Sequence, residues 1–215
     1  MSANTDRRNI QSTYLAIEPY VRRTPLLHID GADVGLPGIH LALKLEALQV
    51  SGSFKARGAF ANILARKVPS AGVAAASGSN HGAAVAYAAM RRGVKAAIFV
   101  PSVASPTKIE RIRSYGAELT IVGERYADTV GACDDYCAKT GAFPIARRHV
   151  ERVLLVGDDE IRAAQRALWS ACNVVAEPGG AAAFGAVLSG RYTLAAGERA
   201  CIVISGGNTP AVSFS

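Results

Sequence analysis

Three short segments of this chain bring together residue types suited to chemistry. The first is Ser51-Gly52-Ser53-Phe54-Lys55, which leads into a helical pattern reaching about residue 66. Ser51 or Ser53 is the natural cap of that helix, and Lys55 falls in its first turn. Partial positive charge at a helix start disfavours an ammonium, and an apolar setting from Phe54 and small neighbours acts in the same direction. A neutral lysine amine is the nucleophile that condenses with an aldehyde. Read alone, the same lysine also fits a solvated surface position.

The second segment is Ser77-Gly78-Ser79-Asn80-His81, between a strand pattern and a helix pattern. Small residues let the backbone approach a ligand, and a helix N-terminus offers N–H groups to an anion such as an amino-acid carboxylate. An ordinary turn capped by Ser79 or Asn80 fits the same residues. The third is Ser205-Gly206-Gly207-Asn208, which follows the last strand pattern. Ligands of open α/β sheets gather at the carboxyl ends of strands, although a plain tight turn is the other reading.

These segments must be positioned by the elements between them. Residues 7–22 read as a helix ending before Thr24-Pro25, and 40–46 (HLALKLE) alternate like a half-buried strand. From Gly72 the pattern repeats: strand 73–76, helix 81–92 closed by Gly93, strand 95–100 stopped by Pro101. A helix opened by Ser105-Pro106 then runs to Gly116, followed by strand 119–122 and helix 126–138. Such alternation predicts a parallel sheet with helices on its faces. Residues 142–149 read as an irregular joint and 153–156 as a strand, with Asp158 capping a helix to 169. Glu177-Pro178-Gly179-Gly180 opens a small-residue helix ending at Gly190, and 200–204 form the last strand.

Composition narrows the function. Half of the 215 residues are hydrophobic and 19% are charged, the balance of a folded protein with one large domain or two small ones. The net charge of +7 is scattered in pairs such as Arg7-Arg8 and Arg91-Arg92. Without a basic run or basic-aromatic stripe, nucleic acid is not an expected partner, whereas anionic small molecules are. Cys133, Cys137, Cys172 and Cys201 include no CxxC pair, so small buried hydrophobes are expected rather than disulfides or a metal site. With no signal-like start and no apolar run of about 18 residues, the expected location is the cytoplasm and no membrane partner is expected.

Taken in order, the segments resemble one family. SGSFKARGA (51–59) looks like the lysine motif of the serine/threonine dehydratases, pyridoxal-phosphate (PLP) enzymes of fold type II related to the tryptophan synthase β chain. SGSNH (77–81) resembles that family's substrate loop, and PSVASPTKIERIRSYGAEL (101–119) is similar to the segment that follows it. IEPYVRRTPL (17–26), EPGGAAAFGAVLSG (177–190) and SGGN (205–208) match the family's N-terminal and C-terminal portions.

The resemblance implies an α/β fold with parallel sheets flanked by helices. A small domain, 72–142, would be inserted in a truncated large cofactor domain made of 1–71 and 143–215. Lys55 would hold pyridoxal 5'-phosphate and then remove the substrate α-proton. Phe54 would flank the cofactor ring, Asn80 would bond its phenolic oxygen, and Ser205 would face its pyridine nitrogen. Ser77, Gly78, Ser79 and His81 would cradle the substrate carboxylate. The implied reaction is β-elimination, giving 2-oxobutanoate from threonine or pyruvate from serine, with ammonia, in a homodimer. Some family members that racemise serine carry a serine where Gly78 stands, so elimination is implied over racemisation.

The sequence departs from the family in two places. Ser79 replaces a usual glycine, and the chain runs directly from Ile145 to Val153 where the family has a long segment with a phosphate-binding run of glycines. Phosphate needs a nest of N–H groups or a helix N-terminus. Other readings are therefore a non-catalytic homologue that has lost this loop, or another fold-type II lyase or synthase.

Overall fold

The computed structural model describes residues 6–145, 154–194 and 198–210. The helices are α1 (Arg7–Ile17), α2 (Lys55–Leu64), α3 (Asn80–Arg92), α4 (Pro106–Ser114), α5 (Tyr126–Thr140), α6 (Asp158–Cys172) and α7 (Pro178–Leu188). The strands are β1 (Leu26–Asp30), β2 (His40–Lys44), β3 (Val73–Ala76), β4 (Ala96–Val100), β5 (Glu118–Ile121), β6 (Phe143–Pro144) and β7 (Ala200–Val203). The chain divides into two compact units: Met1–Arg23 with Lys55–Arg147, and Thr24–Phe54 with Arg148–Ser215. Segment 72–142 lies inside the first unit, which also contains α1 and α2.

The first unit is built on a four-stranded parallel sheet in the order β5-β4-β3-β6. Its central strands are buried on both faces, which is why 73–76 and 96–100 read as continuous apolar runs rather than alternating ones. Ala74, Ala97 and Phe99 pack with Cys133 of α5 on one face. Ile98 points the other way, where Gly82 of α3 comes close enough that an added Cβ would sit 3.1 Å from its Cγ2. The alanine-rich α3 suits a helix and stops at Gly93, whose left-handed φ of 64° lets its N–H return to Ala89 and Met90.

A line of aromatic rings ties the helices of this unit together. Tyr20 stacks on Phe60 of α2 at 5.1 Å between centroids. Phe60 meets Tyr87 of α3 edge-on at 6.1 Å, and Tyr87 meets Tyr115, which follows α4, at 5.2 Å. Arg92 lies over the Tyr20 ring and bonds its hydroxyl at 2.7 Å.

The second unit holds a three-stranded sheet in the order β1-β2-β7. Leu41, Leu43, Ile202 and Ile204 pack with Ala164 and Leu168 of α6 and Phe184 of α7. The other face is more open, with Leu26 48% and Val203 40% exposed.

Several expectations need correction. The first helix ends at Ile17 and gives way to a short 3-10 turn over Glu18–Tyr20, because Pro19 has no N–H to continue the ladder. β1 pairs antiparallel with β2, so this sheet is mixed; LLHID does alternate in burial, but the pattern is too short to stand out. The joint at 142–149 contains β6, which adds to β3 in parallel. Of the strand expected at 153–156, Val153 lies outside the described residues and Leu154, Leu155 and Val156 form none. Neither Ser51 nor Ser53 caps α2, since both hydroxyls are buried without a hydrogen-bond partner. The cap of α6 is Gly157, whose N–H donates to Glu160 Oε2 at 2.7 Å, and Asp158 is the first helical residue.

Phe60 is fully buried at the centre of the aromatic line. Phe60→Ala should lower unfolding stability by about 3–5 kcal/mol, read as a shift of the urea midpoint at constant slope. A loss below about 1 kcal/mol would show that the line does not hold the helices.

Candidate active site

In the first unit, the turn from β3 into α3 carries Ser77, Gly78, Ser79, Asn80 and His81. Ser77 N–H donates to Phe99 O at 2.8 Å, fixing the turn to the end of β4. Ser79 N–H donates to Ser77 Oγ at 3.2 Å, and Ser79 O accepts the N–H of Ala83 at 3.1 Å. A Cβ on Gly82 would lie 2.1 Å from Ser77 O. One on Gly78 would lie 2.6 Å from Ala104 Cβ and 2.8 Å from Val100 Cγ1. Both positions therefore exclude side chains.

His81 Nε2 and Ile145 O are 2.7 Å apart. A carbonyl only accepts, so Nε2 carries the hydrogen and the neutral ring is left with an acceptor at Nδ1. Burial lowers the pKa of His81; the Ile145 bond opposes this, and the charge of Lys55 adds to the lowering. Lys55, the exposed first residue of α2, thus lies within electrostatic reach of His81. Sequence reasoning missed one participant. Lys108 Nζ donates to Ser79 Oγ at 3.3 Å from 29 positions along the chain, beyond the range of any local pattern.

In the second unit, Phe54 and Ser205 come together. Phe54 N–H donates to Ser205 O at 3.0 Å, and Ser53 bridges Gly206. Gly207 N–H donates to Gly52 O at 3.1 Å, and Asn208 Nδ2 to Ser51 O at 2.9 Å. The start of α7 closes on the same turn. Glu177 N–H donates to Gly206 O at 3.1 Å, and a Cβ on Gly180 would lie 2.1 Å from that same oxygen. Ser205 Oγ donates to Gly179 O at 3.4 Å. Ser51 holds a left-handed φ of 58° within this turn.

Among the described residues, no group of three or more His, Cys, Asp or Glu could hold a metal ion. Cys133 and Cys137 share a hydrogen bond on α5. Burial, with the neighbouring Cys137 and Asp134, pushes the Cys133 thiol up to about 12. Burial also raises Cys137 and Cys172. No helix among the described residues is long and apolar enough to cross a membrane.

Each of the two α/β units carries a polar turn at the carboxyl end of a strand, where ligands of such sheets gather. The family model described as pyridoxal-phosphate dependent enzyme matches residues 17–145, and the chain belongs to that family. Its cofactor is pyridoxal 5'-phosphate. Phenylserine dehydratase of Ralstonia pickettii is 27% identical over 301 aligned positions, taking in 93% of this chain and 92% of the relative. With 215 residues against 301 positions, at least 86 of those positions have no counterpart here. The catabolic L-threonine dehydratase of Staphylococcus aureus is 30% identical over 155 residues, which is 71% of this chain and 44% of the relative. The chain therefore spans less than half of that relative. Maize serine racemase shares the fold, with a TM-score of 0.86 at 22% identity over 96% of this chain and 94% of that one.

The first unit offers a lysine amine at Lys55 and an amide at Asn80, and the second a hydroxyl at Ser205 that donates to Gly179 O. The phosphate end is different. The chain has no glycine run longer than two. The N–H groups of Gly180 and Gly207 are already donated to Glu177 O and Gly52 O, at 2.8 Å and 3.1 Å. These glycines serve backbone packing, not a phosphate nest.

His81 also gives stability a pH dependence. The unfolded chain protonates this ring near 6.5, whereas the folded chain does so only at lower pH. The stabilisation is whole above about 6.5 and is lost as pH falls towards the folded value. The urea midpoint should therefore drop more steeply between about pH 7 and 5 in the wild type than in His81→Asn. Equal slopes would show that His81 takes up its proton as readily when folded as when unfolded.

Proposed function

We propose that this chain is a PLP-dependent ammonia-lyase that eliminates water from threonine or serine. The carrying observation is the tight Ser77–His81 turn, in which Gly78 and Gly82 admit no side chain, in the same unit as Lys55 at the head of α2. The dehydratase names of the two relatives described above support the same reaction class. In this reading 72–142 is the small domain, and the enzyme works as a cytoplasmic homodimer on a free amino acid.

When bound, the cofactor withdraws electrons from the substrate α-carbon. Lys55 would hold the cofactor, and its amine would be the base that receives the α-proton. Phe54 would flank the ring and Asn80 would bond its phenolic oxygen. Ser77, Gly78, Ser79 and the backbone at His81 orient the carboxylate. Ser205 would be the residue at the pyridine nitrogen, where a hydroxyl, unlike a carboxylate, would not enforce a protonated ring. Loss of the β-hydroxyl as water leaves an enamine that takes up water, yielding the 2-oxo acid and ammonia. The crowding around Gly78 supports elimination over racemisation, because a second acid/base side chain has no room there.

A second reading is a non-catalytic homologue. It is favoured by the engaged N–H groups of Gly180 and Gly207 and by the 86 or more positions without counterpart. One experiment separates the two. The protein purified with added PLP should be yellow, lose its colour in Lys55→Ala, and form 2-oxo acid from threonine or serine, with Lys55→Ala slower by about 10³-fold. A colourless wild type would establish the non-catalytic reading. Colour without turnover of either amino acid would point to another lyase or synthase of the same fold.

A further inference from the structure

We infer that Lys108, held against the substrate loop by Ser79, supplies the positive charge that recognises the substrate carboxylate. This assignment rests on the lyase reading for the identity of the loop. It follows from asking which groups at the turn can donate to an anion.

Gly78 has no side chain and no space for one. His81 does not serve, because its Nε2 hydrogen is donated to Ile145 O and a neutral ring then offers only a lone pair. A lone pair facing a carboxylate repels it. Ser77 Oγ accepts from Ser79 N–H, which leaves its own O–H as a donor. Ser79 Oγ accepts from Lys108, so its own O–H is also left as a donor, polarised by the ammonium.

Charge placement leads to the same residue. Lys108 sits in the first turn of α4 and reaches the cap residue of α3. Both helix starts carry partial positive charge, so a cation there is unfavourable by itself and complementary to a bound anion. An ammonium and two hydroxyl donors match one carboxylate, with the amine side of the substrate left to Lys55 and the cofactor. Ser79, which departs from the family's usual glycine, thereby acquires a role: it delivers the charge of α4 to the loop. The substrate class is an amino acid with an unblocked carboxylate, not an ester or amide.

The test uses L-alanine, which binds as an amino acid but has no β-hydroxyl to lose, and L-alaninamide, which lacks the carboxylate. Binding to the full chain with added PLP is followed by the amide NMR shifts of Gly78, Ser79 and His81. Lys108→Gln should weaken L-alanine by about five-fold and leave L-alaninamide unchanged or slightly tighter. Lys108→Arg should stay within about two-fold, and Ser79→Gly should give part of the loss. The assignment is overturned if Lys108→Gln binds L-alanine like the wild type, or weakens both ligands equally. The yellow band of the same wild-type sample reports separately: its absence overturns the lyase reading, while the NMR titration still decides the role of Lys108.

Discussion

Two missing side chains make the β3–α3 turn possible. At Gly82 any Cβ would collide with the Ser77 carbonyl, and at Gly78 with Ala104 and Val100. With both positions bare, the chain can leave the strand, expose Ser77 and Ser79, and enter α3 within a few residues. The conformation is held by Ser77 N–H on Phe99 O and Ser79 N–H on Ser77 Oγ, so the hydroxyls are aimed by backbone rather than by rotamer choice. Every chemical role given to this loop depends on that tight path.

The loop and the lysine are kept in register by packing that contains no catalytic group. Lys55 begins α2, the loop begins α3, and Phe60 and Tyr87 of the same two helices meet edge-on. Tyr20 and Tyr115 extend the contact to the chain after α1 and to the end of α4, the helix that carries Lys108. Long-range ring contacts thus tie together the three helices that carry Lys55, the Ser77–His81 turn and Lys108. In the second unit, backbone hydrogen bonds do the corresponding job, with Gly180 and Gly206 in close approach beneath Ser205.

Much of this was legible in the sequence. Pro106 and Gly93 marked helix ends, and the apolar runs at 73–76 and 96–100 marked doubly covered strands, because those signals are local. The three candidate segments stood out for the same reason. What escaped was non-local or weakly patterned. β1 exists through pairing with β2, and β6 is two residues long. The His81–Ile145 and Lys108–Ser79 bonds join residues 64 and 29 positions apart, a distance that no spacing rule covers. The serines before Lys55 suggested a cap; the fold instead buries both hydroxyls and turns the chain through a left-handed Ser51.

The cysteines have a consequence for the conditions under which the fold persists. Cys133, Cys137 and Cys172 all have thiols raised by burial, with Cys133 at about 12. A sulfur that keeps its proton at neutral pH is a poor nucleophile towards peroxides, disulfides and alkylating reagents alike. Burial also withholds Cys133 on α5 from such reagents, whereas Cys201 on β7 is exposed to them.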